Sequence, residues 1–109
     1  MTGDRPFMLL RARANERNRE RFATWFRGVH LQDVLRIPGI AAVSSGTTKG
    51  GTHLGFYSFH ASESVQEALT SPQAAYTRGT WEQWAPHLEE LAIEIWTSLS
   101  PLPLYHSNS

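Results

Sequence analysis

The stretch Gly39–His60, GIAAVSSGTTKGGTHLGFYSFH, decides how this chain folds. Two strand-like runs flank Lys49-Gly50-Gly51, a loop whose glycines take positive φ at no steric cost and so close a tight turn. A turn this short joins antiparallel strands, because parallel neighbours need a crossover of a dozen residues or more. Residues 39–48 and 52–60 are therefore read as a β-hairpin. Alternation along the second strand puts His53, Gly55, Tyr57 and Phe59 on one face and Leu54, Phe56, Ser58 and His60 on the other. Leu54 and Phe56 are taken as the helix-facing set, which turns His53 and Tyr57 toward a barrel interior or a subunit interface.

Working outward, Pro6–Ala14 (PFMLLRARA) reads as a strand, Asn15 as a cap, and about Glu16 to Arg36 as a helix. At 100° per residue Phe22, Phe26, Val29, Val34 and Ile37 share one side of that helix, and His30 projects among them. The helix stops where Ile37 precedes a proline and Gly39 releases the backbone. After the hairpin, SESVQEALTSP offers Ser62 as an N-cap and Val65, Ala68 and Leu69 at helical spacing, with Pro72 ending the turn. TWEQWAPHLEEL reads as a second helical piece and LAIEIWTSLSP as the closing strand. The order β-α-β-β-α-β is an α+β, ferredoxin-like pattern: a four-stranded antiparallel sheet with both helices on one face. In a chain of 109 residues nothing remains to cover the other face. A second copy is the natural cover, and two sheets face to face would enclose a cavity. One domain over 1–109 is expected, with its core in 6–99 and the tail 100–109 packing Leu102, Leu104 and Tyr105 on the body or on the partner.

Composition narrows the function classes. The formal charge is zero, which argues against a nucleic-acid binder, since neutralising phosphates needs a basic excess. The charge is uneven: residues 1–49 carry nine Lys/Arg against four Asp/Glu, and residues 50–109 carry one against six. Without cysteine there is no disulfide, no thiolate metal site and no thiol nucleophile. No apolar run approaches the roughly 20 residues of a membrane span, and MTGDRPFMLL lacks a signal-peptide core, so a cytoplasmic protein without membrane contact is expected. The histidines, at 30, 53, 60, 87 and 106, form neither HExxH nor HxH, and TTKGGT is a hairpin rather than a P-loop. No metal or cofactor is therefore expected.

The segments WFRGVHLQDVLRIPG, GIAAVSSG, LGFYSFH running into SESVQEAL, and TWEQW before a final strand together resemble the dimeric α+β barrel superfamily. Within it, the likeness is to small proteins of the EthD and antibiotic-biosynthesis groups, over roughly residues 6–99. The resemblance implies a homodimer and a histidine, here His30, lining a pocket between helix and sheet. It leaves the reaction open, because the superfamily includes cofactor-free monooxygenases, polyketide cyclases, lactone isomerases, dehydratases and haem-handling proteins.

Each candidate residue has a chemical and a structural reading. His30 is a general acid or base, or a packing histidine donating to a carbonyl. Tyr57 is its best partner, holding an oxyanion, or else an interface tyrosine. Glu94, between two isoleucines of the last strand, faces inward, where it pairs with Arg11 or Arg13 in a buried ion pair or positions substrate. Tyr76, Trp81, Trp84 and His87 cluster after Pro72 and, with Phe26 and His53, supply the walls for a flat ligand or simply fill the core. The reading that follows is a cofactor-independent enzyme acting on an aromatic or polyketide-like small molecule by cyclisation, isomerisation or dehydration. The alternatives are a cofactor-free monooxygenase and a non-catalytic binding or accessory protein.

Overall fold

The structure, a computed structural model, describes residues 5–99; the expected packing of the 100–109 tail lies outside them. Four strands, β1 (Phe7–Ala14), β2 (Ile40–Thr47), β3 (His53–Phe59) and β4 (Leu88–Trp96), form one antiparallel sheet in the order β2-β3-β1-β4. The hairpin turn is built on Thr48: its N–H donates to the Thr52 carbonyl, its carbonyl accepts from Gly51 N–H, and Gly51 has φ +91°. Helices cover one face only, so the expected α+β, ferredoxin-like architecture is the one observed.

The first helical segment follows a 3₁₀ turn (Glu16–Asn18) capped by the Asn15 side chain. It runs as α1 (Arg19–Trp25), a π turn (Phe26–His30) and α2 (Leu31–Leu35). In the π turn the Leu31 N–H reaches back five residues to the Phe26 carbonyl. That extra residue changes the phase of the helix. Phe22, Phe26, His30 and Val34, four apart, are all buried, whereas Val29 is turned outward and is 42% exposed. The expectation of Val29 in the apolar stripe is therefore corrected, because it assumed an unbroken 3.6-residue period. The stop is as read: Gly39 has φ +94°, and a Cβ there would meet the Ser64 carbonyl at 2.9 Å.

The C-terminal half departs further from the reading. Helix α3 (Ser62–Leu69) has Ala61, not Ser62, at its N-cap. Pro72 begins a helix instead of ending one: in α4 (Pro72–Thr80) it takes the first turn, and the Ser71 hydroxyl caps by accepting from Ala74 N–H at 3.1 Å. TWEQWAPHLEEL holds only two 3₁₀ turns, Trp81–Gln83 and Ala85–His87, because Pro86 lacks an N–H to donate; β4 then begins at Leu88.

Met8, Leu10, Ala12 and Ala14 of β1 face the helices, and the alanines, fully buried, let the aromatic helix approach closely. On β3 the helix-facing set is His53, Gly55, Tyr57 and Phe59. The sequence assignment of Leu54 and Phe56 to that face is reversed. Those two stand on the uncovered face, where Phe7 stacks on Phe56 at 4.7 Å and on Trp96 at 6.0 Å between ring centroids. The longer apolar side chains looked like core, but ring volume at Tyr57 and His53 fills the helix–sheet gap.

Candidate functional site

Between the helices and the sheet lies a cavity of about 270 Å³, at the small end of ligand pockets. Its walls are almost wholly apolar: Met8, Leu10 and Phe59 from the sheet, Val34 and Ile37 from the helix ending, Ala74 from α4, and Ile93 and Ile95 from β4. Edge strand β4 is left bare on this side, so Ile93 and Ile95 are about half exposed and the cavity opens along it. This cavity lies within one protomer, between helix and sheet, where His30 was expected to line a pocket.

Three polar side chains meet in it in a fixed order. The Trp81 indole N–H donates to His30 Nδ1 at 3.2 Å, and His30 Nε2 lies 2.6 Å from the Tyr57 hydroxyl. Nδ1 must be the bare nitrogen to accept from an indole, which only donates, so the neutral ring carries its proton on Nε2. His30 therefore donates to the Tyr57 oxygen, and the tyrosine's own proton is left for the cavity. The reverse tautomer would set Nδ1–H against the indole N–H. Burial pushes His30 down to about 4 and pushes Tyr57 up, so both are neutral near pH 7.

Packing holds this order. Trp25 stacks on the His30 ring at 5.5 Å and 27°, and Trp81 meets it edge-on at 4.9 Å. Tyr57 is seated by Gly55: its ring lies back along the strand over the glycine, and a Cβ at residue 55 would sit 2.5 Å from Tyr57 Cζ. Trp25 and Gly55 were missed in the sequence. The glycine did leave a signal, two residues before a tyrosine on the same strand face.

Of the expected site residues, His30, Tyr57 and Trp81 come together here, and the others do not line the cavity. Phe26 and His53 are buried behind it. His53 is packed on Phe22 and Phe26, its Nδ1 is 3.5 Å from the Thr47 hydroxyl, and burial, with Arg27 second, lowers its pKa. Trp84 is a core residue with the Arg21 guanidinium over its ring at 5.2 Å. Tyr76 is 65% exposed beside Asp33 and Arg36, and His87 sits in a 3₁₀ turn, its carbonyl accepting from Asn15 N–H. Glu94 lies on the uncovered sheet face, exposed, and accepts from the Trp96 indole. Its partner across β1 is Leu9, so Arg11 pairs with Glu90 and Arg13 with Glu89 and Glu90 instead. The expected Arg–Glu94 pair is thus corrected by strand register. The residues missed on the cavity are Thr77, Arg78 and the apolar wall.

Among the described residues no three His, Asp or Glu side chains converge to hold a metal ion. His30 is not free to ligate a haem iron: axial ligation needs a free imidazole nitrogen, and both of His30's are taken by Trp81 and Tyr57. No described helix is long and apolar enough to cross a membrane.

Solved structures match this architecture closely. Rv0793 from Mycobacterium tuberculosis superposes with a TM-score of 0.65 at 16% identity, covering 91% of this chain and 96% of that one. A candidate antibiotic biosynthesis monooxygenase from Nitrosomonas europaea gives 0.65 at 14%, covering 94% and 98%. An EthD-family protein from Bacillus halodurans gives 0.62 at 14%, covering 82% and 96%. The chain shares the ferredoxin-like α+β fold of these structures. At such identities the likeness carries the α+β scaffold and not the chemistry. No family profile and no curated protein sequence matches the chain.

Proposed function

We propose that the protein is a cofactor-independent enzyme acting on an apolar, aromatic or polyketide-like carbonyl compound bound in this helix–sheet cavity. The observation that supports it is the oriented chain from Trp81 through His30 to Tyr57, which leaves one hydroxyl proton for an otherwise apolar space. A fixed donor in a water-poor site stabilises an oxygen on which negative charge develops, and costs no reorganisation when it does so. Tyr57 is then the group that touches substrate. His30, with both nitrogens engaged, acts through Tyr57 by polarising its oxygen, and Trp81 fixes the tautomer that makes this possible. Among the described residues no carboxylate lines the cavity, so a proton lost from substrate carbon passes to water at the open side along β4.

Enolate stabilisation of this kind serves cyclisation, isomerisation and dehydration alike. It also serves oxygenation, in which a substrate anion reacts directly with dioxygen, a ring CH₂ becoming C=O with release of water. The naming of two structural neighbours as candidate antibiotic biosynthesis monooxygenases favours this last reaction. The reading includes a homodimer through the uncovered sheet face, where Phe7, Leu9, Leu54, Phe56 and Trp96 form an apolar surface. The test uses 2-tetralone, a two-ring ketone with an acidic CH₂. Deuterium exchange at that carbon reports enolisation, and oxygen uptake reports oxygenation. Both should exceed the buffer rate if the protein oxygenates, exchange alone if it isomerises or dehydrates, and Tyr57→Phe should lower either by about 10²-fold. Binding of the ketone without exchange or uptake would make the protein a binding or accessory subunit.

A further inference from the structure

Arg78 stands apart from the other charged residues. It is the only Lys or Arg in residues 50–109, and its side chain lines the apolar cavity. It lies on α4 one turn before Trp81, so the cavity-facing side of this segment presents Ala74, Thr77, Arg78 and Trp81 in succession. One guanidinium nitrogen, Nη1, donates to the Leu69 carbonyl at 3.2 Å, which tethers the head group at the C-terminal end of α3. Arg11, Arg13, Arg19 and Arg36 each have a carboxylate within 4 Å; among the described residues Arg78, like Arg5, Arg17, Arg21 and Arg27, has none, and of these five it is the one that lines the cavity. A tethered cation with donors to spare, on the rim of a cavity whose other ionisable groups are neutral, lacks a counter-charge.

We propose that this counter-charge comes from the ligand: the cavity takes an apolar acid, with its carboxylate on the Arg78 guanidinium and its carbonyl on the Tyr57 hydroxyl. The proposal rests on the cavity being the ligand site, as argued above. A guanidinium presents paired N–H groups that match a carboxylate edge, and apolar walls on one side reduce the screening that weakens exposed pairs. Two anchors at different points of the cavity also fix which end of a flat molecule meets Tyr57, which a wholly apolar pocket does not do. The substrate class becomes an aromatic or polyketide-like keto acid in place of a neutral ketone.

The experiment compares 2-naphthoate with 2-naphthamide, which share ring system and size and differ in charge. Binding is followed by titration calorimetry on wild type, Arg78→Met and Arg78→Lys at low ionic strength. The acid should bind wild type about three- to tenfold tighter than the amide. Arg78→Met should abolish that preference, Arg78→Lys should keep part of it, and salt near 0.5 M should shrink it. Equal binding of acid and amide to wild type, or a preference that survives in Arg78→Met, would overturn the Arg78 assignment. In either case amide binding that weakens in Tyr57→Phe would leave the cavity reading standing. If neither compound binds, both readings fall together.

Discussion

Replacing Gly55 by alanine tests how the site is seated. In the native protein the Tyr57 ring occupies the space where a residue-55 side chain would stand; the added Cβ would meet Cζ at 2.5 Å and Cε1 at 2.7 Å. Tyr57 is 2% exposed, and to escape the added Cβ its ring must leave its rotamer and tip toward the cavity it lines, away from His30. Overpacking of this sort costs about 1–3 kcal/mol. Moving the hydroxyl also strands the buried His30 Nε2–H, now bonded at 2.6 Å, at about 1–3 kcal/mol more. Gly55→Ala should therefore cost about 2–6 kcal/mol and lower Tm by about 10–30 °C. In a Tyr57→Leu background the collision is absent, and the same change should turn neutral or stabilise by about 0.5–1 kcal/mol, since alanine loses less backbone entropy than glycine. Urea titrations of the four proteins give the coupling between the two sites. A Gly55→Ala cost of the same sign and size in both backgrounds would refute the idea that the glycine exists to seat the tyrosine.

The other predictions follow from the same geometry. Burial holds His30 near 4 in the folded state against 6.5 unfolded, so the folded state binds fewer protons in that interval. Stability is then complete above about pH 6.5 and falls by about 3 kcal/mol as pH drops to 4, with His53 adding in the same direction; in His30→Phe the proton uptake on unfolding near pH 5, measured from the pH dependence of urea midpoints, should fall by about one. Trp81→Phe removes the donor that makes an Nδ1 proton unwelcome, so an NMR titration should find His30 moved back toward its ordinary value. Phe26→Ala should cost about 3–5 kcal/mol and Val29→Lys under about 0.5, and a costly Val29→Lys would contradict the π turn. Phe56→Asp should convert the proposed dimer to monomer in sedimentation at micromolar concentration, and a wild type already monomeric would remove the dimer.

Much of the fold was legible in local chemistry. The glycine turn at 49–51 fixed an antiparallel hairpin, the Pro38-Gly39 stop ended the first helix where expected, and the element order implied the ferredoxin-like sheet. Such signals are local because they act through φ preferences and hydrogen-bond closure within a few residues. His30 also stood out, as a titratable ring in an apolar helix face. What failed were assignments that depend on phase or register. One inserted residue in the π turn rotated Val29 out, and a reversed strand face exchanged Leu54 and Phe56 for His53 and Tyr57. A proline read as a stop was a first-turn residue, distinguishable only by the Ser71 cap beside it.

The sequence by itself determined the order of the elements, the antiparallel hairpin and the candidacy of His30 and Tyr57, because each follows from residue type and short-range periodicity. Only the tertiary structure decided that Trp81, 51 positions from His30, donates to its ring, and that Tyr57 reaches it from 27 positions away. The tautomer, the free hydroxyl proton and the cavity around it depend on which side chains converge, and convergence is set by packing between distant segments.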